Sequence, residues 1–253
     1  VLFIDADVLV RGDTLTRVLD IFSKDPELAA VFGSYDTEPS APDFLSQYRN
    51  LLHHYVHQKS RSDASTFWSG CGAIKKDIFL AMGGFDRVKF SKPSIEDIEL
   101  GYRMKRKGYR ILLDKELQVK HLKHWSFFSM LSTDISQRAV PWSKLMLESG
   151  FSPRDLNVDT SDRVSTALVG LLSICLLIVI FAALGGSGIL YPAFILSAVL
   201  TISLILLNRR LYGFFLEEKG FVFTLMAIPM HFLYFFYSGA SYGVCWLRKK
   251  MSK

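Results

Sequence analysis

Two uncharged runs separated by a four-residue glycine-rich link constrain this chain more than any other feature. Residues 164–184 are 21 consecutive residues with no Asp, Glu, Lys or Arg, and residues 189–207 are 19 more. At about 1.5 Å per residue the first run covers roughly 31 Å as a helix, the thickness of a bilayer's hydrocarbon core. Gly185-Gly186-Ser187-Gly188 between them is long enough only for a turn. Neither run has a polar face, which argues against a buried helix pair in a soluble domain. The sequence therefore predicts a membrane-spanning helical hairpin. A third apolar run, residues 221–246, carries Pro229 and His231 in its interior. It reads either as one kinked span or as two half-membrane pieces that enter and return. Arg209, Arg210 and Lys219 precede it, and Arg248, Lys249, Lys250 and Lys253 follow it. Basic residues favour the cytoplasmic side. A re-entrant or interfacial segment keeps both clusters there and is the preferred form.

The charge distribution agrees with a two-part chain. Residues 1–163 hold 23 Lys and Arg against 22 Asp and Glu, whereas residues 164–253 hold 7 against 2. The excess cations flank apolar runs, where anionic lipid is the natural counter-charge, so nucleic acid is not indicated as a partner. A hydrophobic content of 50% excludes disorder. Cys71, Cys175 and Cys245 form no CxxC pair, which removes a disulfide scaffold and a zinc ribbon. The chain opens on Val1-Leu2-Phe3-Ile4-Asp5, in what reads as the middle of a buried strand, so an upstream part of the same domain is expected.

Before the hairpin, strand and helix patterns alternate, the signature of an α/β layered domain. Strands are expected at residues 1–5, 29–35, 66–75, 109–113 and 117–121. Helices are expected after an Asp13 cap, with Leu15, Val18, Leu19 and Phe22 on the buried face, and at 44–58, 77–82, 96–107 and 125–149, the last broken near Pro141. His53, His54 and His57 lack the Glu of a zinc-protease helix and read as a solvated face. The basic run from Arg103 to Arg110 reads as a solvated helix end. The expected domains are 1–125, an interfacial helical linker at 126–163, and a membrane domain at 164–253 with helices near 164–184, 189–207 and 221–246.

Two acidic groups carry the chemistry. Phe3-Ile4-Asp5-Ala6-Asp7 is an apolar strand ending in Asp-x-Asp, where two carboxylates can hold Mg²⁺ or Mn²⁺ against a diphosphate. Taken alone, such acids also serve as plain caps. Ser94-Ile95-Glu96-Asp97-Ile98-Glu99 sets three carboxylates at a helix start, suited either to the helix dipole or to general-base work. Between and after them stand Trp68-Ser69-Gly70-Cys71-Gly72-Ala73-Ile74-Lys75-Lys76, Met82-Gly83-Gly84-Phe85-Asp86, Leu100-Gly101-Tyr102-Arg103 and Val119-Lys120-His121. In this order, over about residues 1–145, the chain resembles an inverting family 2 glycosyltransferase of GT-A fold, of the membrane-anchored bacterial type.

The resemblance implies an α/β, partial GT-A (Rossmann-like) nucleotide-sugar transferase domain followed by C-terminal transmembrane helices. It implies that Asp7, assisted by Asp5, binds a divalent metal and the donor diphosphate, with His121 as a further contact. It makes Asp97 the general base, supported by Glu96. Trp68, Gly70, Cys71 and Gly72 would line the donor or acceptor, the glycines admitting close backbone approach; tight strand packing is the alternative. Gln137-Arg138-Ala139-Val140-Pro141-Trp142 is similar to the Gln-x-x-Arg-Trp motif of processive synthases but departs from its spacing. Arg138 would meet the diphosphate and Trp142 an acceptor sugar, or the segment is simply an interfacial amphipathic helix. The implied partners are a nucleotide-sugar donor, a lipid-linked or other membrane-associated acceptor and the bilayer, with the catalytic domain on the cytoplasmic face of the inner membrane. A catalytically silent membrane partner of the same fold is the rival reading. A transporter is disfavoured because the hairpin holds no ionisable residue.

Overall fold

Leu28–Tyr35 reads Leu-Ala-Ala-Val-Phe-Gly-Ser-Tyr, without a charge, and every residue of it is buried. A strand buried on both faces belongs at the centre of a sheet. The computed structural model, which describes residues 1–150 and 156–252, puts it there. Residues 151–155 of the expected linker and Lys253 lie outside the described residues. The strands are β1 (Leu2–Ile4), β2 (Val8–Val10), β3 (Leu28–Tyr35), β4 (Cys71–Ile74) and β5 (Arg110–His121), in the order β1-β4-β3-β5-β2. β3 runs parallel to β5 and antiparallel to β4; β1 and β2 pair antiparallel with the outer sides of β4 and β5. β1 and β2 thus occupy opposite edges although only Asp5-Ala6-Asp7 joins them. That link has to pass across the end of β3, where Tyr35 stands.

Helices α1 (Thr14–Lys24), α2 (Phe44–Lys59), α3 (Lys76–Ala81) and α4 (Glu96–Arg106) surround the sheet. Val18 of α1 packs with Val31, Tyr35, Cys71 and Val119, while Phe32 meets His57 of α2 edge-on. Asp43 caps α2 by accepting the Ser46 N–H at 3.0 Å. Gly101 brings α4 against the backbone of Thr66 and Phe67, where a Cβ would lie 2.3 Å from the Phe67 nitrogen.

Several local expectations are corrected. Asp13 makes no side-chain cap, and Leu15 and Leu19 are exposed, so α1 buries only part of the predicted apolar face. The strand expected over 66–75 begins only at Cys71. The two strands expected over 109–121 are one, with a register shift against β3 between Phe32↔Leu113 and Ser34↔Gln118. His54 and His57 are buried, because their Nδ1 atoms bond the β3 carbonyls of Tyr35 (2.7 Å) and Gly33 (2.9 Å). Near Pro141 the helix does not break. α5 (Phe127–Thr133) runs through a π-helical turn (Asp134–Ala139) into α6 (Val140–Ser149). Pro141 has no N–H to direct at the Gln137 carbonyl four residues back, and Ser94 Oγ donates to that carbonyl at 2.7 Å. The chain divides into two compact units, Val1–Asn157 and Val158–Lys253, and these helices fall in the first.

In the second unit α7 (Thr160–Gly185) and α8 (Leu190–Leu207) form the hairpin, closed near its open end by Asn208 Nδ2 donating to Ser165 Oγ at 3.0 Å. Val169, Leu172, Cys175, Leu200, Leu204 and Phe235 form its core. Three helices here, with α9 (Arg209–Met251), are long and apolar enough to cross a membrane. α9 is two helices that meet at Gly220, whose φ of 82° and ψ of −178° suit glycine alone. A straight helix would separate Tyr212 from His231 by about 28 Å. Instead the Tyr212 hydroxyl lies 3.1 Å from His231 Nδ1, and the Phe215 and Phe223 rings are 5.7 Å apart. The chain therefore folds back at Gly220, and residues 221–251 continue helically through Pro229. The turn lies before the third apolar run rather than inside it. A Tyr212→Cys/His231→Cys pair, in a chain with its native cysteines replaced, is expected to be bridged by a short bifunctional thiol reagent; a straight helix would give no intramolecular bridge.

Candidate active site

Trp68-Ser69-Gly70 joins the two acidic motifs. The Gly70 carbonyl accepts the Asp5 N–H at 3.1 Å, and Ser69 donates both its N–H (2.9 Å) and its hydroxyl (3.1 Å) to Asp97 Oδ2. Asp97 sits in the first turn of α4, and its Oδ1 accepts the Ile98 N–H at 2.7 Å. Burial nevertheless pushes the Asp97 carboxyl up to about 6, with Glu96 adding to the rise and the Ser69 and Ile98 hydrogen bonds opposing it. Glu96 Oε2 accepts the Ser94 N–H at 2.7 Å, so Ser94 is bonded both to Glu96 and to the π-turn carbonyl of Gln137.

On the other side of Tyr35, the Asp7 carbonyl accepts the Leu122 N–H at 2.8 Å. Asp7 Oδ2 lies 3.9 Å from His121 Nε2 and 3.9 Å from Lys123 Nζ, too far for a hydrogen bond to either. Burial raises the Asp5 carboxyl, Asp7 raises it further, and Lys123 opposes the rise. Burial lowers His121 to about 4 against the pull of Asp7, so its imidazole is neutral near pH 7. Its Nδ1 is buried and has no hydrogen-bond partner among the described residues. Tyr35 stacks on the His121 ring at 4.2 Å and 14°, and Trp68 stands edge-on to Tyr35 at 5.0 Å. Burial raises the Tyr35 phenol, and the charges of Asp5, Asp7 and Asp97 all raise it further.

Asp5, Asp7 and His121 offer two carboxylates and a neutral imidazole, a donor set that suits Mn²⁺ or Mg²⁺. Among the described residues no three such groups are already drawn around one point. The chemistry of the set fits a divalent ion, and the separations around Asp7 leave space for one.

The other predicted residues fall into two classes. Gly70 and Gly72 are covered by the protein's own rings: a Cβ on Gly70 would lie 2.2 Å from the Trp68 ring, and one on Gly72 would lie 2.6 Å from Phe67. Cys71 is buried and its thiol is pushed up to about 11, which makes it a poor nucleophile. Arg138 and Trp142 stand apart from the acids. Arg138 pairs with buried Asp134 at 3.2 Å, which Arg49 also holds at 2.6 Å. Trp142 donates its indole N–H to the Tyr102 hydroxyl at 2.9 Å and packs beside Ile95 and Leu145. Sequence reasoning missed Tyr35, Ser69 and Lys123. Ser69 lies inside a quoted motif, and Lys123 follows His121 by two residues; Tyr35 gave no signal beyond ending a strand.

Residues 1–138 match the model of the family described as glycosyltransferase like family 2. The chain belongs to that family. A fold of the same kind is found in the mannosyltransferase PcManGT from Pyrobaculum calidifontis, solved in complex with GDP-Man and Mn²⁺. The two share 18% identity with a TM-score of 0.52, over 92% of this chain and 61% of that one. This family member therefore spans about three fifths of that protein's length and has a GT-A-like sheet followed by apolar helices. No curated protein matches it.

Gly70→Ala separates the two accounts of this glycine. Displacing the Trp68 ring is expected to lower stability by about 1–3 kcal/mol, read as a fall in the thermal midpoint of the ligand-free protein. A glycine needed only to admit a ligand would leave that midpoint unchanged.

Proposed function

We propose that this protein is an inverting glycosyltransferase that moves a sugar from a nucleotide-sugar donor to a membrane-associated, lipid-linked acceptor on the cytoplasmic face of the inner membrane. The observation that carries the reading is the Ser69-Gly70 brace, which ties Asp97, a half-buried carboxyl pushed up to about 6, to Asp5 of the Asp5-Ala6-Asp7 link. Family membership and the GDP-Man and Mn²⁺ bound by PcManGT support it. Residues 1–157 are then the catalytic unit and residues 158–253 the membrane unit.

In this mechanism Asp97 accepts the proton of an acceptor hydroxyl. The hydroxyl oxygen bonds to the anomeric carbon from the face opposite the diphosphate. The carbon–oxygen bond to the diphosphate breaks, and its electron pair leaves with the nucleotide. Glu96 orders the loop before Asp97 through Ser94. Asp5, Asp7 and neutral His121 would hold Mg²⁺ or Mn²⁺, which when bound supplies charge neutralisation for the diphosphate. Trp68 and the Gly70-Cys71-Gly72 backbone border the donor. Arg138, paired with Asp134, and Trp142, bonded to Tyr102, are both assigned to packing of their helix rather than to the donor.

Turnover of a nucleotide-sugar panel by the full chain in membranes, with Mn²⁺ and with EDTA, tests the reading. Asp97→Asn is expected to lower turnover by about 10²–10⁴; a fully active variant, or a wild type inactive toward every donor with membrane lipid supplied, would contradict it. Because the base works ionised, kcat/KM is expected to fall as pH drops through about 6. Ser69→Ala removes the hydroxyl hydrogen bond that favours the ionised carboxylate and leaves the backbone N–H bond in place, so its acid limb moves to higher pH. An unmoved limb would detach Ser69 and Asp97 from the titration.

A further inference from the structure

Lys123 is a cation that the fold holds beside the acidic pair without engaging it. Its ammonium lies 4.3 Å from the centroid of the Trp125 ring, and that ring is 3% exposed. Cation–π contact with a buried aromatic restricts a side chain that would otherwise range over several ångströms. The backbone on either side is tied down as well. Leu122 donates its N–H to the Asp7 carbonyl at 2.8 Å, and Trp125 donates its N–H to Ser46 Oγ at 2.8 Å, in the first turn of α2. His124 Nε2 lies 3.4 Å from Asp43 Oδ2, the cap of the same helix. The segment from Asp7 through Lys123 to α2 is therefore fixed at three points, and it delivers the ammonium to 3.9 Å from Asp7 Oδ2.

That distance is informative. A lysine selected only to neutralise Asp7 would close to about 2.8 Å and form a charge-assisted hydrogen bond. Here the ammonium sits one contact further out, 43% exposed. Among the described residues none of its three N–H groups makes a hydrogen bond that competes with a ligand's oxygens.

We propose that Lys123 is a diphosphate-binding residue, held over Trp125 so that its N–H groups meet the donor's phosphoryl oxygens beside Asp7. The inference rests on the reading of this site as a nucleotide-sugar transferase. The chemical class recognised is a diphosphate, either free or within a nucleotide sugar. The ammonium also offsets the negative charge that gathers on the diphosphate as its bond to the sugar breaks. Its loss acts on turnover as well as on binding.

The test uses the full chain in nanodiscs with inorganic pyrophosphate as the probe, titrated calorimetrically with and without Mn²⁺, beside donor turnover. Lys123→Met keeps the aliphatic stem over Trp125 and removes the charge. It is expected to weaken pyrophosphate about tenfold or more in both conditions, while Lys123→Arg restores most of the affinity. The methionine variant should raise donor KM and also lower kcat, and its affinity should lose part of its salt dependence. Pyrophosphate affinity within twofold of wild type in Lys123→Met, with the wild type turning over donor, overturns the inference and leaves the transferase reading standing. A wild type that turns over donor yet binds no pyrophosphate overturns it too. A folded wild type that neither binds pyrophosphate nor turns over any donor removes the transferase reading, and the role of Lys123 with it.

Discussion

Two consecutive residues, Ser69 and Gly70, hold together motifs that lie about 90 positions apart in the chain. One peptide gives its N–H and a hydroxyl to Asp97 and its neighbour's carbonyl to Asp5. Bonds to a half-buried carboxylate are worth more than neutral ones, since a lost partner leaves a poorly hydrated charge. The brace also explains the packing around it. Gly70 has to be a glycine because Trp68 folds back over it, and Trp68 folds back because Tyr35 and His57 offer it ring edges at 5.0 and 5.5 Å. Gly101 lets α4 approach the same stretch of backbone and so sets the height of Asp97.

The electrostatics follow from lost hydration. His121 is buried, Asp97 half-buried and Asp5 the most exposed of the three, yet desolvation is the largest influence on each and drives it toward its neutral form, with neighbouring charges modulating this. The imidazoles beneath the site respond in the same way: His53 and His57 are kept neutral, His57 at about 4. Above a layer of neutral rings, Lys123 acts on both Asp5 and His121, and Arg49 acts on His121 and Tyr35.

Much of this was legible in the residues. The alternation of strand and helix, the uncharged hairpin and the order of the motifs all have local signatures, and those pointed to the right class of fold. What was not legible depends on partners distant in sequence. The histidines of α2 looked like a solvated face because helical spacing says nothing about carbonyls of β3 waiting for a donor. Leu15 and Leu19 looked like core, yet of that expected face α1 packs only Val18 and Phe22 against the sheet. Val8-Leu9-Val10 is too short to announce itself as an edge strand and became one only by pairing with Val119–His121. Pro141 carried a strong signal for a broken helix, and the π-helical turn and Ser94 absorbed it. Tyr35 and Lys123 are ordinary in sequence; their place beside Asp7 comes from the sheet order.

The fold-back at Gly220 changes the arithmetic of membrane crossing. Counted by length, Arg209–Met251 is one apolar element of 43 residues, about 65 Å if straight and roughly twice a hydrocarbon core. With Tyr212 bonded to His231, the stretch between them goes out and comes back, and its contribution to the parity of crossings cancels. Only the 20 residues after His231, through Met251, remain to decide on which side of a bilayer Arg248, Lys249 and Lys250 emerge. Those residues cover about 30 Å as a helix, one hydrocarbon thickness.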